Sequence, residues 1–219
     1  MCLLSEATPH PQENHFEGLS MIIEFNQYEQ HPHPKHKIMQ RGQILATAET
    51  PQFKHGILYA DRQYELSIQG LSSVSVTCGA AQICSILPKV CVTKKILFLP
   101  IGYEYYEMSL REKTYLVYEV GLGPDQHYYC FYDGDRTAAI LHKPDRVINY
   151  MDHYIGYLES NEQLLAVMLF CLFLESGGNY QNGDLGNSDY STETVTKQKE
   201  LIAKYDPLFI PRILAQEAL

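Results

Sequence analysis

Residues 164–174 read LLAVMLFCLFL, eleven consecutive apolar side chains with no polar face at any helical angle. A helix that is apolar all round has to be covered on every side, by lipid or by its own protein. Ser160 and Gln163 stand just before the run in the S-x-x-Q spacing of a capping box, in which each side chain satisfies a free backbone donor of the first turn. Gly177 and Gly178 follow it and suit a C-cap. A helix over 161–175 is about 22 Å long at 1.5 Å per residue. A bilayer core asks for roughly 30 Å and about 20 apolar residues. Glu162 and Glu175 close off both ends, so lengthening the segment would draw carboxylates into hydrocarbon. The run is therefore expected to be a buried helix of a folded domain, with no transmembrane span.

The chain that must cover it precedes it. From Met21 to about Glu159 the sequence is a succession of short strand patterns separated by turn signals. Tyr64, Leu66 and Ile68 alternate with Glu65, Ser67 and Gln69, and Val74, Val76 and Cys78 alternate with Ser73, Ser75 and Thr77. That period of two places one face on a core and the other in water. Further strands are expected over 37–48, 82–87, 96–110, 114–120, 127–132, 136–142 and 154–159, with turns at Gly70, Gly79, Lys94-Lys95, 121–124 and Asp133-Gly134. Asp-Gly is the sharpest of these signals, because it tolerates the positive φ of a tight hairpin.

About ten strands and a helix without a polar side leave few arrangements. A two-sheet sandwich has no room for such a helix, and a helix lying on an open sheet keeps a polar outer face. The expected fold is a mainly β, closed antiparallel barrel of about 10–12 strands around a central hydrophobic helix, with a short C-terminal helical tail. The expected divisions are a polar N-terminal segment over 1–20, the barrel and helix over 21–176, a polar linker over 177–194 and a tail over 195–219. The tail holds a helix near 195–205 and the apolar set Leu208, Phe209, Ile210, Ile213 and Leu214. That set either docks on the barrel or serves as an interaction peptide, and docking is favoured because exposed apolar clusters are uncommon in monomers.

The 219 residues carry a formal net charge of −9, with 17 Tyr, 8 Phe and no Trp. Abundant tyrosine suits half-buried strands. Without a basic stripe, a nucleic-acid partner is not expected, and anionic lipid would be repelled unless the charge is unevenly spread. Six cysteines (Cys2, Cys78, Cys84, Cys91, Cys130, Cys171) contain no C-x-x-C pair and read as reduced, small apolar residues. The N-terminus lacks the pattern of a secretion signal, so a cytoplasmic location is expected.

The order YYCFYDGDRTAAILHK, then DHYIGYLESNEQ, then LLAVMLFCLFL, over residues 128–174, resembles the C-terminal part of the tubby C-terminal-like superfamily, which includes phospholipid scramblases and LURP-one-related proteins. The resemblance implies a twelve-stranded barrel in which a late hairpin and an aromatic strand lead into an axial helix. It also implies lipid-headgroup or protein binding in place of catalysis. The family's basic phosphoinositide-binding cluster has no counterpart here, and Asp133, Asp135 and Asp145 do not reproduce the scramblase calcium loop.

The remaining reactive side chains give incomplete sets. His31, His33 and His36 lie within six positions near Glu29, but two prolines separate the rings and no cysteine completes a ligand set. Cys130 pairs on paper with His127 or His142 as thiol and base, and the three-residue spacing to His127 sends the two to opposite faces. Glu104 with Glu107 and Asp133 with Asp135 are carboxylate pairs, the second belonging to a turn. Gly121-Leu-Gly-Pro lacks the following helix of a phosphate loop. Tyr103, Tyr105, Tyr106, Tyr115 and Tyr118 are expected to pair across strands before they line a groove. The expectation is a non-enzymatic barrel with no catalytic, cofactor-binding or metal residues, binding a lipid headgroup or a protein. The alternatives are a lipocalin-like carrier of a small apolar ligand and an enzyme.

Overall fold

A computed structural model describes residues 20–29, 34–50, 55–69, 73–96, 99–144, 146–148, 151–176, 189–191 and 195–218. Its strands are β1 (Met21–Glu29), β2 (Lys35–Gln40), β3 (Gln43–Glu49), β4 (His55–Tyr59), β5 (Arg62–Gln69), β6 (Ser73–Cys78) and β7 (Ala81–Ile96). They continue as β8 (Leu99–Leu110), β9 (Lys113–Gly121), β10 (His127–Asp133), β11 (Arg136–Lys143), β12 (Arg146–Ile148), β13 (His153–Leu158) and β14 (Asp189–Ser191). A 3-10 turn at Asn161–Gln163 leads into α1 (Leu164–Ser176), and α2 (Lys199–Ile202) and α3 (Phe209–Glu217) end the chain.

Twelve strands form a closed antiparallel meander that β1 completes by pairing with both β2 and β13; β12 is left out and pairs with β14. A barrel of eight strands is just filled by its own side chains, and twelve leave a lumen that needs a further element. That element is α1. Val167, Met168, Leu169, Phe170, Cys171 and Leu172 are all fully buried, and half-buried Phe173 packs its ring 5.3 Å from Tyr106 and 5.4 Å from Phe170. Val167, Leu172 and Phe173 point to different sides of the helix, so cover on all of them is what an axle requires. The capping box at its start is made as expected, with both the backbone and side chain of Ser160 donating to Gln163 Oε1 and Ser160 Oγ accepting from the Glu162 amide. No helix among the described residues is long and apolar enough to cross a membrane.

Several boundaries differ from the sequence reading. The stretch 37–48 is two strands, β2 and β3, folded back at Arg41-Gly42 with φ of 48° and 77°. β4 is an additional strand, closed against β5 by Ala60-Asp61 at φ 48° and 58°. Both are the tight-turn geometry that Asn-Gly usually signals, adopted here by residues without that signal. Lys94 and Lys95 lie inside β7 instead of forming a turn. The polar stretch 177–194 contains β14, and the helix near 195–205 shortens to α2. The N-terminal segment over 1–19 and the cap at Gly177-Gly178 lie outside the described residues.

The tail lies on the barrel's outer wall. A second apolar cluster gathers Leu201, Phe209 and Ile213 over Tyr118, Val120, Tyr128, Cys130 and Ile140, the outward residues of β9, β10 and β11. Those strands are consequently buried on both faces, which explains their near-continuous apolar sequence.

Candidate functional site

Polar groups converge at the rim where α1 ends. Around this rim lie the ends of β1, β9 and β11 and the starts of β2, β10 and β13. Tyr115, Val117 and Glu119 alternate inward along β9, as do His127, Tyr129 and Phe131 along β10. The core alternation therefore carries Glu119 and His127 to the top of the lumen.

Glu175, in the last turn of α1, is held from two strands. Its Oε2 lies 3.2 Å from His36 Nε2, and its Oε1 accepts a 2.6 Å hydrogen bond from the Tyr154 hydroxyl. His36 is completely buried, with its ring 4.8 Å from that of Phe25, and its Nδ1 has no hydrogen-bond partner. Lys143 Nζ stands 3.6 Å from Asp152 and 5.3 Å from the centre of the Tyr154 ring. Next along the rim, Glu119 Oε1 is 2.8 Å from His127 Nε2 and accepts from the Tyr129 hydroxyl at 3.3 Å.

The electrostatics follow from these contacts. Burial pushes Glu175 up, but the His36 contact and the Tyr154 hydroxyl outweigh it and leave the carboxyl below its ordinary value. Glu119 shows the same balance, with burial opposed by His127 and Tyr129. Asp152 goes the other way, raised by burial and then by the neighbouring charge of Glu175. Burial first, and then Glu119 and Glu104, push Tyr106 up to about 12, so it stays a neutral donor. Chemically, the rim combines charged acceptors, phenols and imidazoles that mostly satisfy one another.

A two-stranded arm rises past this rim. From Leu87 onward β7 pairs only with β8, and β8 up to Tyr105 pairs only with β7, among the described residues. Its two strands approach so closely that a Cβ on Gly102 would meet the Cys91 carbonyl oxygen at 2.0 Å. Tyr103 and Tyr105 face the outer wall under the tail. Val90, Val92 and Glu104 continue the face that lines the lumen lower down, and the two valines are 64% and 50% exposed.

Few of the residues singled out in the sequence meet at this rim. Of the three closely spaced histidines, His36 is a buried rim residue, whereas His31 and His33 lie outside the described residues; Glu29 pairs with Lys35 at 3.1 Å. Among the described residues no group of three His, Cys, Asp or Glu side chains is arranged to hold a metal ion. Cys130 faces the outer wall, its thiol pushed up by burial, while His127 faces the lumen. His142 packs on Tyr128 at 5.0 Å and lies 2.8 Å from the Asp125 carbonyl. Glu104 and Glu107 fall on opposite faces, and Glu107 lies 3.8 Å from Lys89. Asp133 and Asp135 flank the hairpin at Gly134, φ 62°, and Gly121 to Pro124 is a turn; Asp145 lies outside the described residues. Tyr103 and Tyr105 pair with Tyr118 across strands at 6.2 and 5.5 Å, whereas Tyr106 and Tyr115 face the core. Glu119, Tyr129, Lys143, Asp152, Tyr154 and Glu175 were not singled out. Their signal is a charged or phenolic side chain at a core position of an alternating strand, or at the end of an apolar helix.

These features define a class: a closed twelve-stranded barrel threaded by its own helix, with a polar rim at the helix C-terminus. Comparisons with protein-family models, curated proteins and solved structures give no match.

Proposed function

We propose that the protein is a non-enzymatic binding module that recognises a protein partner at the rim and arm. The observation that carries this reading is α1 itself. It fills the lumen in which a carrier or a buried active site would lie, so recognition falls to surfaces outside the core. Val90, Val92 and Ile68 are at least half exposed, and Val90 is paired across the arm with the carboxylate residue Glu104. An apolar shelf edged by acid fits a basic, apolar segment of a protein better than an anionic lipid headgroup. The net charge of −9 supports the same choice. The twelve-strand closure and the axial helix also support a place among tubby-like barrels, with lipid-headgroup binding as the family's alternative.

Selection of displayed random peptides on the full-length protein tests the reading. Enriched peptides are expected to combine Lys or Arg with apolar residues and to lose binding to Val90→Asp and Glu104→Gln. Failure to enrich, or enriched peptides that bind both variants unchanged, overturns it. Co-sedimentation with phosphoinositide-containing liposomes at low salt tests the alternative, and no pelleting above that with neutral liposomes is expected.

A further inference from the structure

The barrel core is complete without the tail, since no residue after Leu174 belongs to the cluster that surrounds α1. The outer wall of β9–β11 nevertheless carries Val120, Cys130 and Ile140, each fully buried, at positions that would face water if the barrel stood alone. The tail covers them, α2 over β9 and the amphipathic α3 across β11, β13 and β1. Phe209 and Ile213, four apart on α3, are both completely buried, whereas Leu208 just before the helix and Leu214 within it are 71% and 48% exposed. Two large anchors at i and i+4 seated in an apolar wall are the geometry by which a groove takes a helical peptide.

The polar contacts of this segment are concentrated at its start, where the Thr196 amide donates to the Gly121 carbonyl at 2.8 Å and the Gln198 side chain donates to the Gly102 carbonyl. Thr196 Oγ1 accepts from the Gly121 amide at 2.9 Å, the Tyr132 hydroxyl donates to the Lys204 carbonyl at 3.0 Å, and exposed Arg41 pairs with Glu217 at 2.6 Å. Lys204 Nζ lies over the rings of Tyr118 and Tyr132 at 4.6 and 5.2 Å. The last α1 residue, Ser176, and Val195 are joined by a stretch rich in Gly, Asn, Asp and Ser. We infer that the outer wall from β9 across β11 and β13 to β1 is a preformed groove for the tail, which leaves and re-enters it while the barrel stays folded. The chain's own tail is its occupant, seated by Phe209 and Ile213. This surface is separate from the rim, and either reading stands without the other.

Cys130 reports on the groove because it lies beneath the tail, while Cys84 and Cys171 are buried in the barrel core. The full-length protein and its Phe209→Ala/Ile213→Ala variant are treated with N-ethylmaleimide, and each cysteine is followed by peptide mass mapping. Cys130 is expected to react about tenfold faster or more in the variant, as for a local opening, with Cys84 and Cys171 unchanged. A peptide spanning residues 195–218 added in excess is expected to restore protection of Cys130, and the same peptide with both anchors changed to Ala is not. The single variant Ile213→Ala is expected to show the same order with a smaller rise. The inference fails if Cys84 and Cys171 become reactive together with Cys130, because the tail is then part of one cooperative fold. It fails equally if Cys130 stays protected in both variants, or if the intact peptide gives no protection.

Discussion

Two helices of this chain meet the same barrel in opposite ways. α1 runs through the lumen with apolar residues on every side, and α3 lies on the outer wall with one buried stripe. The difference lies in which partner each requires. α1 has no face that water tolerates, so its burial and the closing of the barrel are one event. α3 keeps Arg212, Gln216 and Glu217 alongside its anchors and needs only one apolar wall. Both carry phenylalanine anchors that are completely buried, Phe170 in α1 and Phe209 in α3, so equal truncations compare the two sites directly.

The largest effect is expected from Phe170→Ala. Its ring meets those of Tyr106, Tyr129, Phe131 and Phe173 within 5.4 Å, and truncation leaves a cavity that surrounding strands cannot close; the cost is about 3–5 kcal/mol. Phe209→Ala removes a ring from a surface groove whose cover can shift, and is expected to cost about 2 kcal/mol or less. Urea unfolding of both variants checks the order. Equal losses would mean that the tail is as integral to the fold as the axle.

Next in size comes the polar end of the axle. Glu175→Gln takes the charge from a carboxylate held by His36 and Tyr154, and is expected to cost about 1–3 kcal/mol at pH 7. Because the folded protein lowers the value of Glu175, its contribution is fully present above the unfolded value near 4.5 and is lost as pH falls through the folded value. The gap between wild type and variant should therefore narrow as pH falls below about 4.5. Asp152, whose value is raised, contributes with the opposite sign: its stabilising share is present at acidic pH and is lost as pH rises through the raised value. Thermal melts of Glu175→Gln and Asp152→Asn across pH 3–7 distinguish the two slopes, and parallel slopes would contradict the assigned balance.

How far such regions are legible in a sequence depends on whether their signal is local. The axle was legible because eleven apolar residues and a capping box sit in one stretch, and the barrel followed from what such a helix requires. β4 was not, because its turn at Ala60-Asp61 takes positive φ without glycine or asparagine, held there by pairing that the sequence does not display. The rim was hardest to read. Glu119, His127 and Glu175 come from separate elements, and their meeting depends on strand register and on where α1 ends, both properties of the closed barrel. Only the inward alternation of Tyr115, Val117 and Glu119 hinted at it.

The smallest effects concern the ends of the two helices. Ser160→Ala removes an oxygen that accepts from the Glu162 amide, while Gln163 can still accept from the backbone of residue 160, so about 1 kcal/mol is expected. Arg41→Ala breaks the ion pair with Glu217 at the end of α3, but the arginine side chain is 71% exposed. The Glu217 side chain is only 11% exposed, but with one partner so open to solvent the pair is worth about 0–1 kcal/mol and weakens with salt. Denaturant melts should thus show a loss for Ser160→Ala that persists at high salt, and for Arg41→Ala at most a small loss that disappears. A salt-resistant loss at Arg41 larger than that at Ser160 would mean that the tail is clamped by charge more firmly than by Phe209 and Ile213, which reverses the contrast between axle and tail.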